Sequence, residues 1–129
     1  MLIPNESEIA ARAIKVVPKL WGVEYWLVNT PKYCWKLLKI NPGYVSSVHS
    51  HAKKNETFYG VMGTVRLDIH DTMTETFAPI IISPGYQFEI RRGTMHSFRS
   101  VNTAWISEIS THHDDNDVIR LQPSRKLEP

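Results

Sequence analysis

Residues 43–63 read GYVSSVHSHAKKNETFYGVMG. The β-branched and aromatic residues from Tyr44 to His49 suit a strand, in which successive side chains leave opposite faces. His49 and His51 stand two apart at its end, so both imidazoles leave the same face and can aim at one point. A polar turn, Ala52-Lys53-Lys54-Asn55, follows. Glu56 then opens the next strand, from which its carboxylate can approach that same point. Gly63 closes the stretch at a second turn.

Gly85, Gly93 and His96 form a second element further along. His96 heads another strand there and brings a third imidazole. Three neutral imidazoles and one carboxylate make a divalent-metal site with positions left open for water or substrate. The expected metal ligands are therefore His49, His51, Glu56 and His96, holding Mn, Fe, Zn, Co or Ni.

The same period of two runs outward from these motifs. Strands are expected near Ala13–Val17, Glu24–Val28, Tyr33–Ile40, Tyr44–His49, Glu56–Val61, Thr64–His70, Glu75–Ile82, Tyr86–Ile90, Met95–Val101 and Ala104–Ser110. Pro18, Pro31, Asn41-Pro42-Gly43, Met62-Gly63, Ser83-Pro84-Gly85 and Arg92-Gly93 punctuate them, since such residues do not easily continue a ladder. Strands at this spacing point to an all-β sandwich or barrel. Only the first dozen residues look helical, where Asn5 with Glu8 three positions on resembles a capping box. After residue 110 the run from Thr111 to Asp117 reads as a hydrated loop. Val118 to Leu121 is a short segment able to pack back on the body, and the rest is a loose tail.

Composition narrows the classes further. At 129 residues the chain is one domain, 1–129, with 42% hydrophobic and 22% charged residues, the proportions of a packed globular unit. Lys and Arg exceed Asp and Glu by 15 to 13, so no basic block tracks a phosphate backbone and nucleic acid is not an expected partner. A lone cysteine, Cys34, excludes an intrachain disulfide and is read as core packing. No apolar run approaches a membrane span and no signal peptide is evident, so a cytoplasmic protein without a membrane partner is expected.

The two motifs resemble the signatures of the cupin superfamily. In the first, Gly43, His49, His51, Glu56 and Gly63 occupy every position. In the second, Gly85, Gly93 and His96 are in register, while Arg91 replaces the usual Pro and Ser100 the usual Asn. The resemblance implies a double-stranded β-helix, or jelly-roll barrel, with a short N-terminal helical or extended segment and motifs within 43–63 and 85–100. The stretches 19–26, 33–36 and 56–59 are similar to the mannose-6-phosphate isomerase-like and D-lyxose isomerase-like branch. Residues 108–120 are similar to the C-terminal end of small sugar-biosynthesis cupins. This implies a metal-dependent isomerase of a sugar or sugar phosphate, interconverting aldose and ketose through a metal-stabilised enediolate.

Such chemistry needs a positioned acid/base pair. Lys54 is one candidate, in an order His-x-His-x-x-Lys-x-Glu that D-lyxose isomerase-like sequences share, with a solvated turn lysine as the alternative. Glu108, in the apolar strand 104–109, is the other. It faces either the cavity as a general base or an arginine elsewhere. Arg66 and Arg99 are candidates for a sugar phosphate, because a planar guanidinium matches it bidentately. His112-His113-Asp114-Asp115 is read as a hydrated turn, and His70 as an exposed tip. Two other functions use the same shell: a non-haem Fe(II) dioxygenase, and a non-catalytic carbohydrate-binding or sensing cupin. An apolar N-terminal edge strand suggests a homodimer.

Overall fold

The computed structural model describes residues 4–71 and 73–128. Asn5 caps α1, Glu6–Arg12, its side chain accepting the N–H of Glu8 at 3.2 Å. The cap satisfies one of the N–H groups that a helix start leaves unpaired. Strands then follow as β1 Lys15–Lys19, β2 Gly22–Asn29, β3 Cys34–Ile40, β4 Tyr44–Val45, β5 Val48–His51, β6 Glu56–Met62 and β7 Val65–Asp71. The rest are β8 Thr76–Ile82, β9 Gln87–Ile90, β10 His96–Ser100, β11 Ala104–Ser110, β12 Val118–Gln122 and β13 Arg125–Lys126, with a 3₁₀ turn at Asp115–Asp117 before β12. No helix among the described residues is long and apolar enough to cross a membrane.

Every ladder is antiparallel. One sheet runs β1-β2-β3-β11-β6-β9, a second β12-β5-β10-β7-β8, and β13 pairs β4. The core lies between the two large sheets: Leu38, Ile40, Phe58 and Ile106 from the first meet Val65, Leu67, Ile82 and Phe98 from the second. Phe98 is the hinge of this packing, edge-on to Trp21 at 4.9 Å and to Phe58 at 5.8 Å between ring centres. Full burial of one such side chain stabilises by about 1.5–3 kcal/mol.

This is the expected all-β class with one short N-terminal helix, and its antiparallel sheets are of the cupin type. The closed jelly roll is not drawn by the ladders: among the described residues neither sheet closes on itself, one ending at β1 and β9, the other at β12 and β8.

Three local expectations change. The strand expected over Tyr44–His49 is split into β4 and β5, because Ser46 turns to Phe98. Its N–H donates to the Phe98 carbonyl, and its hydroxyl accepts the Phe98 N–H, both at 2.9 Å. Pro18 does not end β1; it sits within that edge strand, where its missing N–H faces no neighbour. Val118–Leu121 does pack back on the body, as β12 from Val118 opposite His51 to Gln122 opposite Val48, but the tail after it is not loose, since Arg125 and Lys126 pair with Val45 and Tyr44.

Candidate metal centre and its cavity

β5 presents His49 and His51, and β10 presents His96 directly opposite His49. The Gly93 turn brings these strands together. At φ +80° it takes a backbone conformation that suits glycine, and its N–H donates to the His51 carbonyl at 2.6 Å. Ring centres lie 4.5 Å apart for His49 and His96, 5.2 Å for His49 and His51, and 6.3 Å for His51 and His96. Glu56, first residue of β6, reaches in from the other sheet. Its Oε1 is 3.0 Å from His96 Nε2 and its Oε2 is 3.8 Å from His51 Nε2.

Hydrogen bonds fix two of the rings. His49 Nδ1–H donates to the Ser47 carbonyl at 2.9 Å and His96 Nδ1–H to the Thr94 carbonyl at 2.8 Å. Each Nε2 is thereby turned inward, the ring atom left for a cation once Nδ1 is engaged. His96 Nε2 is buried without a hydrogen-bond partner, and so is His51 Nδ1. Burial, with His96 alongside, pushes the His49 pKa down to about 3; burial, with Lys54 alongside, pushes that of His51 down to about 4. Both imidazoles are neutral at pH 7.

Among the described residues no three His, Cys, Asp or Glu side chains close into a ready-made cation cage. Lys54 accounts for part of this, its Nζ lying 3.0 Å from Glu56 Oε2 and so competing for the carboxylate. The donor chemistry still fits a divalent ion: two imidazoles oriented through their Nδ1 atoms, a third beside them, one carboxylate, and a buried orphan nitrogen among them. The buried His/Glu/Asp network resembles a cupin metal site.

The opposite wall carries charge. Lys36 on β3, only 2% exposed, lies across the ladder from Glu108 on β11. Its Nζ is 3.7 Å from Glu108 Oε2, 3.8 Å from Glu24 Oε1, and 4.2 Å above the Trp26 ring. Lys54 is equally buried, 3.3 Å from Glu108 Oε2. Asp117 turns it inward by accepting the backbone N–H groups of Lys53 and Lys54 at 2.8 and 3.0 Å, while the Lys53 side chain stays exposed. Burial alone would lower the Lys54 pKa, but Glu108 and Glu56 outweigh it and hold the ammonium charged. Burial likewise opposes ionisation of Glu56, yet His96 and Lys54 hold it below the usual carboxylate range.

Between the walls lies a cavity of about 480 Å³, lined by His49, His51, Lys54, Glu56 and Glu108 among others. Arg66 and Arg99 are not brought to it. They line a separate pocket of about 130 Å³ around buried Asp68, 2.9 Å from Arg66 Nε and 3.8 Å from Arg99 Nη2.

The 111–117 loop departs from its reading as a hydrated turn. His113 and Asp115 line the cavity, because reciprocal hydrogen bonds with Asn29 lock the His113 backbone in place. His70 is half-buried against Phe77, ring centres 4.7 Å apart, and not an exposed tip. Lys36 is given no role by the sequence reading, and His113 and Asp117 only that of a hydrated loop. For Lys36 a signal exists: it shares the inward phase of Cys34, Leu38 and Ile40.

No family model matches the sequence. D-lyxose/D-mannose isomerase of Thermosediminibacter oceani is 32% identical over 124 aligned positions, spanning 79% of this chain and 68% of that protein. Among solved structures, oxalate decarboxylase from Bacillus subtilis superposes with a TM-score of 0.71 at 16% identity, covering 87% of this chain and 31% of the other. KdgF from Halomonas sp. superposes at 0.67 with 17% identity, covering 79% of this chain and 89% of that one. The structural neighbours establish the fold, and the sequence relative adds kinship across most of both chains. With a catalytic-grade cluster in the cavity, the chain belongs to the cupin superfamily as a metal-dependent enzyme related to D-lyxose/D-mannose isomerase.

Proposed function

We propose that this protein interconverts an aldose and a ketose, with His49, His51, Glu56 and His96 holding a divalent cation. The observation that carries the reading is that Lys54 and Glu108, 3.3 Å apart and buried, face the same cavity as His49, His51 and Glu56. A binding module has no use for a paired acid and base there, since burying unneeded charges is costly. The bound cation would polarise the substrate carbonyl as a Lewis acid.

The protein's own residues supply the proton transfers. Glu108, as a carboxylate, takes the proton from the carbon next to the carbonyl. Lys54 donates a proton to the carbonyl oxygen as its charge develops, giving an enediol. Glu108 then returns a proton to the neighbouring carbon, while the remaining hydroxyl gives one back to Lys54, so atoms and charge balance. A volume of about 480 Å³ accommodates an open-chain hexose. The sugar class comes from the likeness to D-lyxose/D-mannose isomerase.

The test is incubation of metal-loaded protein with lyxose, mannose and their phosphates in D₂O, followed by NMR. Deuterium entering carbon 2 together with ketose supports the proposal. Absence of both, with substrate bound, makes the protein a sugar-binding cupin. Turnover retained when Mn is replaced by Co or Ni argues against a dioxygenase, which needs redox iron. As a further part of the proposal, two copies associate through the β1 edge, where Val16 is exposed; size-exclusion chromatography should then give a dimer.

A further inference from the structure

We infer that His113, oriented by Asp115, is a positioning residue that holds the ammonium groups of Lys36 and Lys54 together and aims Lys54 into the cavity. Lys36 Nζ lies 3.0 Å and Lys54 Nζ 3.4 Å from His113 Nδ1. An ammonium has only donors, so Nδ1 accepts. The ring proton is therefore on Nε2, which donates to Asp115 Oδ1 at 2.8 Å. Glu108 Oε2 faces the same two lysines, at 3.7 and 3.3 Å. Lys36, Glu108, Lys54 and His113 thus alternate donor and acceptor around a closed ring.

The choice of imidazole has a chemical reason. Glu24, Glu56 and Glu108 already face these lysines, and a fourth carboxylate would bind the Lys54 proton still harder. A neutral lone pair orients the ammonium without adding negative charge, so the group stays competent to donate. The ring itself is held: it packs edge-to-face with Trp26, centres 4.6 Å apart, and Asn29 grips its backbone on both sides.

The catalytic consequence rests on Lys54 being the acid of the proposed isomerase; the tautomer and the ammonium contacts do not. Long-range ¹H–¹⁵N spectra of labelled protein should show His113 as the Nε2–H tautomer, assigned by its loss in His113→Asn. The ammonium ¹⁵N signals of Lys36 and Lys54 should persist in His113→Asn, whose amide oxygen replaces Nδ1, and fade in His113→Leu. In turnover, His113→Leu should lose about 10- to 100-fold in kcat with KM within about twofold, and His113→Asn should recover most of that loss.

An Nδ1–H tautomer, ammonium signals unchanged in His113→Leu, or a rise in KM at constant kcat would overturn the inference. If His113→Leu does not fold, Asp115→Ala replaces it. That variant should let the Nδ1–H form appear and lower kcat about three- to tenfold, and an unchanged tautomer and rate would overturn it equally. Should the parent protein turn over no sugar, the isomerase reading fails, and the spectra alone decide whether His113 positions the lysines.

Discussion

His49, His51 and His96 come from neighbouring strands of the five-stranded sheet and meet as a group of imidazoles, while Lys36, Glu24 and Glu108 come from the six-stranded sheet and meet as charges. On the histidine side, acceptor nitrogens stand buried without partners. On the lysine side, each ammonium faces at least two carboxylates. One wall is unsaturated and leaves acceptor atoms open to a cation; the other is saturated by its own members. The difference teaches that mutations in the two walls should fail in different currencies, the first in metal affinity and the second in folding stability.

The sharpest break between the walls comes from the ligand candidates. His49→Gln is expected to weaken divalent-metal binding by about 100-fold or more and turnover by at least as much. The same substitution should change the stability of the metal-free protein by less than about 1 kcal/mol. Titration with a metal indicator and urea melts of the apoprotein read the two effects separately.

Next comes the charged wall. Lys36→Met removes a buried ammonium that faces both Glu24 and Glu108, and urea denaturation should show a loss of about 3–5 kcal/mol. Metal affinity should move little, since Lys36 touches none of the four ligand candidates. If Lys36→Met is harmless, the wall is not self-saturated and the comparison fails.

Acid separates the walls a third way. His49 and His51 have folded pKa values near 3 and 4, below the unfolded value of about 6.5, so the unfolded chain binds more protons between these limits. Their contribution is complete above about pH 6.5. It is lost progressively as pH falls towards 4, at up to about 1.4 kcal/mol per pH unit for each histidine. Glu56, held below its unfolded value, adds a further loss only below about pH 4.5. Lys54 acts with the opposite sign: its stabilisation is present below its unfolded value of about 10.5 and goes as pH rises through its higher folded one. Urea melts at a series of pH values should therefore show the acid decline well before any alkaline one.

The smallest effect is expected outside the cavity. Arg66→Ala and Arg99→Ala alter a pocket in which Asp68 receives both guanidinium groups, so turnover of an unphosphorylated sugar should stay within about twofold. A larger loss would bring the arginine pocket into the catalytic unit.

How much of this was legible follows from how local each signal is. The meeting of His49 with His51 needs only a strand and a spacing of two, and the turn to Glu56 needs only four residues. The ladders of β6, β7 and β11 follow from alternation for the same reason. Arg66 could have been placed outside the core by phase, since Val65 and Leu67 take the inward positions. His113 could not: its direction is set by Asn29, 84 residues away, and by two lysines on other elements. The split of β4 from β5 depends equally on a distant partner, because the bond between Ser46 and Phe98 spans 52 residues. Glu108 was legible as an unusual carboxylate in an apolar strand, though its partners are lysines and no arginine.

The pairing of β12 with β5 carries a consequence for the order of biosynthesis. A nascent chain that has emerged only as far as residue 110 already contains His49, His51, Glu56 and His96, yet it lacks Asp117 to fold the Lys53–Lys54 turn inward and lacks the strand that covers the histidine-bearing edge. The inward Lys54 turn and the covered histidine edge are therefore complete only once about residue 122 has cleared the ribosome. A ribosome-stalled fragment ending at residue 110 should therefore leave the Lys53–Lys54 turn open to protease, and the full chain should protect it.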